Sequence, residues 1–129
     1  MRQIVFYIFL LSFGLNSTFT QQKEIFLKQI EFKLDYVSTQ DYENEYFMTI
    51  KLNKGTSYKF RITNHRDNYA GKAVFELLDA DNLILTNAIA DKYFETFNFV
   101  CNKTAFYDIL IKFQDKKPGF SVVDILMLQ

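Results

Sequence analysis

Ile30-Glu31-Phe32-Lys33-Leu34-Asp35-Tyr36 alternates apolar and polar residues without a fault. A two-residue period sends every second side chain to one face, as in a half-buried β-strand. The same pattern recurs along the chain. Tyr46, Met48, Ile50 and Leu52 share a face against Glu45, Thr49 and Lys51. After the turn Asn53-Lys54-Gly55-Thr56, residues Tyr58, Phe60 and Ile62 alternate with Lys59, Arg61 and Thr63. Those two strands around a short turn are expected to form a hairpin. Residues 72–78 and 83–86 read as strands about the turn Asp79-Ala80-Asp81-Asn82, and 94–101 as a strand with Phe97, Phe99 and Cys101 on one face. Tyr107, Ile109, Ile111 and Phe113 alternate with Asp108, Leu110 and Lys112. Residues 120–128 close the series after Gln114-Asp115-Lys116-Lys117-Pro118-Gly119, a turn holding the only proline.

Two stretches are less regular. Residues 87–93 read as a connection with room for one helical turn. Ile25, Phe26, Gln29, Ile30 and Lys33 fit a weak amphipathic turn, so strand is expected from Ile30 onward. Seven to eight antiparallel strands, with turns about every 8–12 residues, predict an all-β fold: a two-sheet β-sandwich or jelly roll.

The N-terminus has a different logic. Met1-Arg2-Gln3 is followed by a short apolar run from Ile4 to Leu15 and then by Asn16-Ser17-Thr18-Phe19-Thr20. A charged start, a short apolar core and small residues near a cut are the marks of a secretory signal peptide, expected to be cleaved after Thr20. The apolar run is short of the roughly 20 residues that cross a bilayer. Domain organisation is therefore expected as signal peptide 1–20 and one β-sandwich domain 21–129, with the protein exported to the periplasm or cell surface.

Composition narrows the function. The 129 residues carry 15 Lys+Arg against 15 Asp+Glu, so binding to nucleic acid through net positive charge is not expected. One Cys and one His cannot build a Cys-based zinc site. A hydrophobic share of 49% is too high for a disordered chain.

Several segments resemble the bacterial pre-peptidase C-terminal domain over about residues 46–128. Leu52-Asn53-Lys54-Gly55-Thr56-Ser57-Tyr58-Lys59-Phe60 is similar to that family's strand–Gly-Thr-x-Tyr-x-Phe–strand hairpin. Phe75-Glu76-Leu77-Leu78-Asp79-Ala80-Asp81-Asn82-Leu83-Ile84-Leu85 is similar to its Leu-x-Asp turn, with Asn82 where the family usually has Gly. Thr104-Ala105-Phe106-Tyr107-Asp108-Ile109-Leu110-Ile111 is similar to its Thr-Gly-x-Tyr strand, with Ala105 in place of Gly. Pro118-Gly119-Phe120-Ser121-Val122-Val123 is similar to its closing strand. The resemblance implies a stand-alone jelly-roll module for binding or folding support in the envelope, without peptidase activity.

The residues themselves offer little chemistry. His65 lies in the polar loop Asn64-His65-Arg66-Asp67-Asn68-Tyr69. Loops on a rigid scaffold carry recognition, so His65, Arg66, Asp67 and Tyr69 form the candidate ligand loop. Cys101, among Phe99 and Val100, reads as a small buried hydrophobe. Asp79, Asp81 and Asn82 read as a turn rather than a calcium loop, because no downstream Glu completes the ligand set. Asp41, Glu43 and Glu45 read as an exposed acidic segment. No strained nucleophile elbow of the Gly-x-Ser-x-Gly kind is present. The expected protein is non-enzymatic, holds no cofactor or metal, and binds a carbohydrate or an envelope protein. The alternative is an assembly protein acting through edge-strand pairing, with a small hydrolase a distant third.

Overall fold

A computed structural model describes residues 22–129; the expected signal peptide lies outside them. The described chain holds ten β-strands and two short 3-10 turns. The strands are β1 (Glu24–Leu34), β2 (Tyr46–Leu52), β3 (Ser57–Asn64), β4 (Ala73–Asp79), β5 (Asn82–Thr86), β6 (Ala88–Ile89), β7 (Lys92–Tyr93), β8 (Thr96–Val100), β9 (Ala105–Phe113) and β10 (Gly119–Leu128). Eight of them form two four-stranded antiparallel sheets in the orders β1-β10-β3-β8 and β2-β9-β4-β5. β6 and β7 form a separate small hairpin. The sheet orders are those of a jelly roll, so the expected all-β two-sheet architecture is what the chain adopts.

The alternation that announced the strands fills the space between the sheets. Ile30, Leu34, Tyr58, Phe60, Ile62, Val123 and Ile125 face inward from the first sheet. Leu52, Ala73, Phe75, Leu77, Tyr107, Ile109, Ile111 and Phe113 meet them from the second. Rings tie the layers together. The Phe60 centroid lies 4.9 Å from Phe75 and 5.3 Å from Phe97, and Phe32 stacks on Phe113 at 5.1 Å. Gly119 makes room for that stack, because a Cβ there would run into the Phe113 ring.

Three sequence expectations need correction. β2 and β3 do not form a hairpin: they belong to opposite sheets, and residues 53–56 arch between them. Among the sheet strands only β4–β5 is a true hairpin, every other successive connection crossing the sandwich. The arch closes on itself, Thr56 N–H donating to the Asn53 carbonyl at 3.2 Å, and is tied as well to the β8–β9 turn. Gly55 N–H donates to the Cys101 carbonyl at 2.8 Å, Cys101 N–H to the Thr56 carbonyl at 3.0 Å, and the Asn53 N–H to the Tyr58 hydroxyl at 2.9 Å. Second, β1 starts at Glu24, well before Ile30. Its register with β10 shifts between Phe26 and Lys28, so Leu27 is an extra residue. A bulge breaks the two-residue period, which is why the segment imitated a helical turn. Third, residues 87–93 contain the β6–β7 hairpin and no helical turn.

The β4–β5 turn and the β6–β7 turn are built against local preference. Ala80 and Asp81 have φ of 48° and 72°, and Ala90 and Asp91 of 51° and 65°. Two consecutive positive-φ residues match the twist of a two-residue hairpin, but Asn-Gly is the pair that suits them. An alanine there brings its Cβ against the backbone at roughly 1–2 kcal/mol. The double variant Ala80→Asn/Asp81→Gly is therefore expected to stabilise the fold by about 1 kcal/mol, raising the melting temperature by about 4–8 °C. Differential scanning calorimetry checks this, and an unchanged or lower midpoint contradicts it.

At the β4–β5 end of the sandwich, Tyr107 is buried and its hydroxyl donates to the Lys103 carbonyl at 2.6 Å. Burial, followed by the adjoining Cys101, pushes its pKa up to about 12 from an ordinary 10. The folded state thus keeps a proton that the unfolded chain gives up first. The stabilisation from Tyr107 is complete below about pH 10 and is lost as pH rises from about 10 to 12. Urea midpoints measured across that window should fall less steeply in Tyr107→Phe than in the parent.

Candidate functional site

The connections 35–45, 65–72 and 114–118 gather at one end of the sandwich, opposite the arch. Backbone hydrogen bonds fasten two of them. His65 N–H donates to the Phe120 carbonyl at 2.8 Å, Gly71 N–H to the Pro118 carbonyl at 2.9 Å, and Gln114 N–H to the Lys72 carbonyl at 2.9 Å. The third is held by a side chain. Buried Asn44 accepts from Ser38 N–H at 2.7 Å and donates to the Ser38 carbonyl at 2.9 Å, so its amide imitates a strand pair and closes the loop.

Strand register places a cluster on the outer face at this end. Lys33 of β1 lies opposite Phe120 of β10, and His65 follows β3 beside Phe120. The His65 ring stacks on Phe120 at 4.4 Å, and Tyr69 meets the Phe120 ring edge-on at 6.0 Å. The Tyr69 hydroxyl donates to Asp35 Oδ1 at 2.6 Å, while Lys33 Nζ stands 5.9 Å from the Tyr69 ring centre and 5.7 Å from that of Phe120. The hydrogen bond to Asp35 pushes the Tyr69 pKa up. The hydrogen bond with Tyr69, then the charge of Asp35, pushes the Lys33 pKa up as well. Both shifts favour the protonated forms, so the cluster holds the Lys33 ammonium and the neutral Tyr69 phenol together.

Of the loop residues singled out in the sequence, His65 and Tyr69 enter this cluster. Arg66 and Asp67 stand exposed in the loop beside it, and Arg66 contributes only its carbonyl, which accepts from Tyr69 N–H at 3.4 Å. Lys33, Asp35 and Phe120 were missed as site residues because they are remote in sequence. Lys33 and Asp35 are nonetheless the polar members of the alternation Ile30–Tyr36, which assigned them to the outer face without saying what lay beside them.

Next to the cluster, a cavity of about 370 Å³ opens between the 41–45 segment and the 112–117 turn. Its walls include Leu34, Phe113 and Tyr93 among the apolar residues and Asp41, Glu45 and Lys116 among the charged ones. Lys116 Nζ pairs with Asp41 at 3.1 Å across it. The turn carries two local costs. Asp115 and Lys116 both have positive φ, 54° and 53°, and the enclosed Gln114 Oε1 accepts no hydrogen bond. An enclosed acceptor left so costs roughly 1–3 kcal/mol. Tyr36 and Tyr42 stand on the same end with 88% and 71% of their surface exposed.

The remaining chemistry is structural. Cys101 is buried, its thiol directed at the Lys103 carbonyl at 3.1 Å. Asp79 pairs with Lys103 at 2.9 Å. Among the described residues no group of three or more His, Cys, Asp or Glu could hold a metal ion, and no helix is long and apolar enough to cross a membrane.

No family model and no curated protein matches the chain. Among solved structures, the crystal structure of Aeromonas hydrophila PliG, a periplasmic lysozyme inhibitor of g-type lysozyme, is similar at a TM-score of 0.50 and 12% identity. The match covers 87% of this chain and 92% of that one. At that identity the likeness is one of fold.

Proposed function

We propose that this is an exported, non-enzymatic module that binds another protein through the loop end of its sandwich. The observation that carries the reading is the Lys33–Asp35–Tyr69–Phe120–His65 cluster. Side chains already fixed by neighbours lose little freedom on docking, and Tyr is among the residues that carry most of the binding energy at protein interfaces. The strained turn 114–117 and the exposed Tyr36 and Tyr42 extend this end into a surface of mixed charge and aromatic character.

A protein partner suits the cluster better than a sugar. A sugar ring stacks on an open aromatic face, whereas His65 already lies on the face of Phe120 and Lys33 stands near both the Tyr69 and the Phe120 rings. The shared fold with a lysozyme inhibitor supports a secreted hydrolase as the class of partner to test first. In that role the module would block an enzyme without performing chemistry.

The test is a binding titration of the protein against a panel of secreted hydrolases that includes a g-type lysozyme, with a glycan array alongside. Saturable binding to a protein is expected, weakened about tenfold or more by Tyr69→Ala, a change worth about 1.4 kcal/mol. Binding confined to glycans would overturn the reading. So would a protein complex unaffected by both Tyr69→Ala and Lys33→Ala.

A further inference from the structure

A sheet edge is an open row of backbone donors and acceptors, and soluble proteins normally blunt it. Three of the four edges here are blunted. β1 carries the bulge at Leu27. β5 has an irregularity about Ile84, and β8 is only five residues long. β2 has neither bulge nor irregularity, and its one charged residue is Lys51. Its seven residues pair with β9 in unbroken register from Tyr46↔Ile111 to Leu52↔Ala105. Among the described residues, no loop backbone hydrogen-bonds to it.

The side chains of β2 are also incompletely covered. Tyr46, Met48 and Ile50 point into the sandwich yet are only half-buried, while their neighbours Tyr107, Ile109 and Ile111 on β9 are fully buried. On the outer face Phe47 leaves 62% of its surface exposed. This edge therefore combines free backbone groups with apolar side chains on both faces.

We infer that a second copy of this chain pairs with the β2 edge, antiparallel and centred on Thr49. The sequence Tyr46-Phe47-Met48-Thr49-Ile50-Lys51-Leu52 is complementary to itself about that centre. Thr49 meets Thr49 of the second copy, a favourable cross-strand pair. Phe47 meets Lys51 and Lys51 meets Phe47, which places each ammonium beside a ring. Met48 meets Ile50, covering these half-buried inner residues, and half-buried Tyr46 stands opposite Leu52, which its own sandwich already buries. No charge faces its like. A two-fold axis normal to the sheet keeps the inner faces on one side, so the two four-stranded sheets merge into one of eight strands. Antiparallel pairing turns the two loop ends in opposite directions, and the dimer would offer two binding ends.

Sedimentation velocity over a concentration series, with the purified protein and two variants, tests this pairing. The parent is expected to dimerise. Phe47→Lys sets two lysine–lysine pairs across the edge and should weaken association at least tenfold. Phe47→Lys/Lys51→Glu restores opposite charges at the same positions and should recover it. Because both side chains lie on the outer face, circular dichroism should show each variant folded. A Thr49→Cys chain should form an intermolecular disulfide at the two-fold axis faster than a Val100→Cys chain, whose cysteine is exposed on another strand. A parent still monomeric at about 1 mM overturns the proposal. So does a dimer that ignores Phe47→Lys, or one that Lys51→Glu does not rescue.

Discussion

Replacing Asn87 by leucine is expected to lower the unfolding free energy by about 4 kcal/mol, among the largest effects of any single substitution in this fold. Asn87 is 2% exposed and stands just after β5, where the ladder on β4 would otherwise run out of partners. Its side chain takes over that ladder. Phe75 N–H donates to Asn87 Oδ1 at 2.7 Å, and Asn87 Nδ2 donates to the Ala73 carbonyl at 3.0 Å and the Phe94 carbonyl at 3.2 Å. Leucine has nearly the same size but leaves one donor and two acceptors of the backbone without partners. Each such group costs roughly 1–3 kcal/mol, reduced where water can enter. Asn87→Asp separates the contributions: it keeps the acceptor for Phe75 and loses both donations. Urea unfolding gives the answer, and a loss below about 1 kcal/mol for Asn87→Leu would mean that β4 finds other partners.

Phe60→Ala is expected to cost about 3–5 kcal/mol, the range for truncating a fully enclosed aromatic. Phe60 has no exposed surface and its ring touches both layers, lying against Phe75 of the facing sheet and Phe97 of its own. Removing it leaves a void that neither sheet can close without giving up strand register. Phe60→Leu, which retains most of the volume, should cost only about 1–1.5 kcal/mol. The ratio of the two losses in urea is the useful measurement. Nearly equal losses would show that ring stacking rather than volume matters at this position.

The site was less legible than the fold. The loop 64–71 stood out because polar, turn-forming residues interrupt the alternation there. Its two effective members, His65 and Tyr69, act through Phe120, Lys33 and Asp35, which reach them only through the order β1-β10-β3. Nothing local to Lys33 distinguishes it from Lys59 or Lys51, since each is simply a polar residue on the outward side of a strand. Asn87 was missed for a similar reason. Its sequence neighbours mark a connection, and its burial arises from the two segments it bridges.

The sequence by itself determined most of the strands and, where the alternation is unbroken, which side faces the core, because a two-residue period is a property of single segments and needs no partner. That is why Phe60, Ile62 and Ile109 could be assigned inward from the alternation alone. Which strands pair was decided only by the tertiary structure. An alternating strand buries its face equally well whether the chain turns back into the same sheet or arches across to the other. β2 and β3 looked like a hairpin on local grounds, and became an arch because β9 and β10 were the partners that completed both sheets. The same choice set Lys33 beside Phe120 and left the β2 edge open, so it fixed both the binding end and the surface on which a second copy fits.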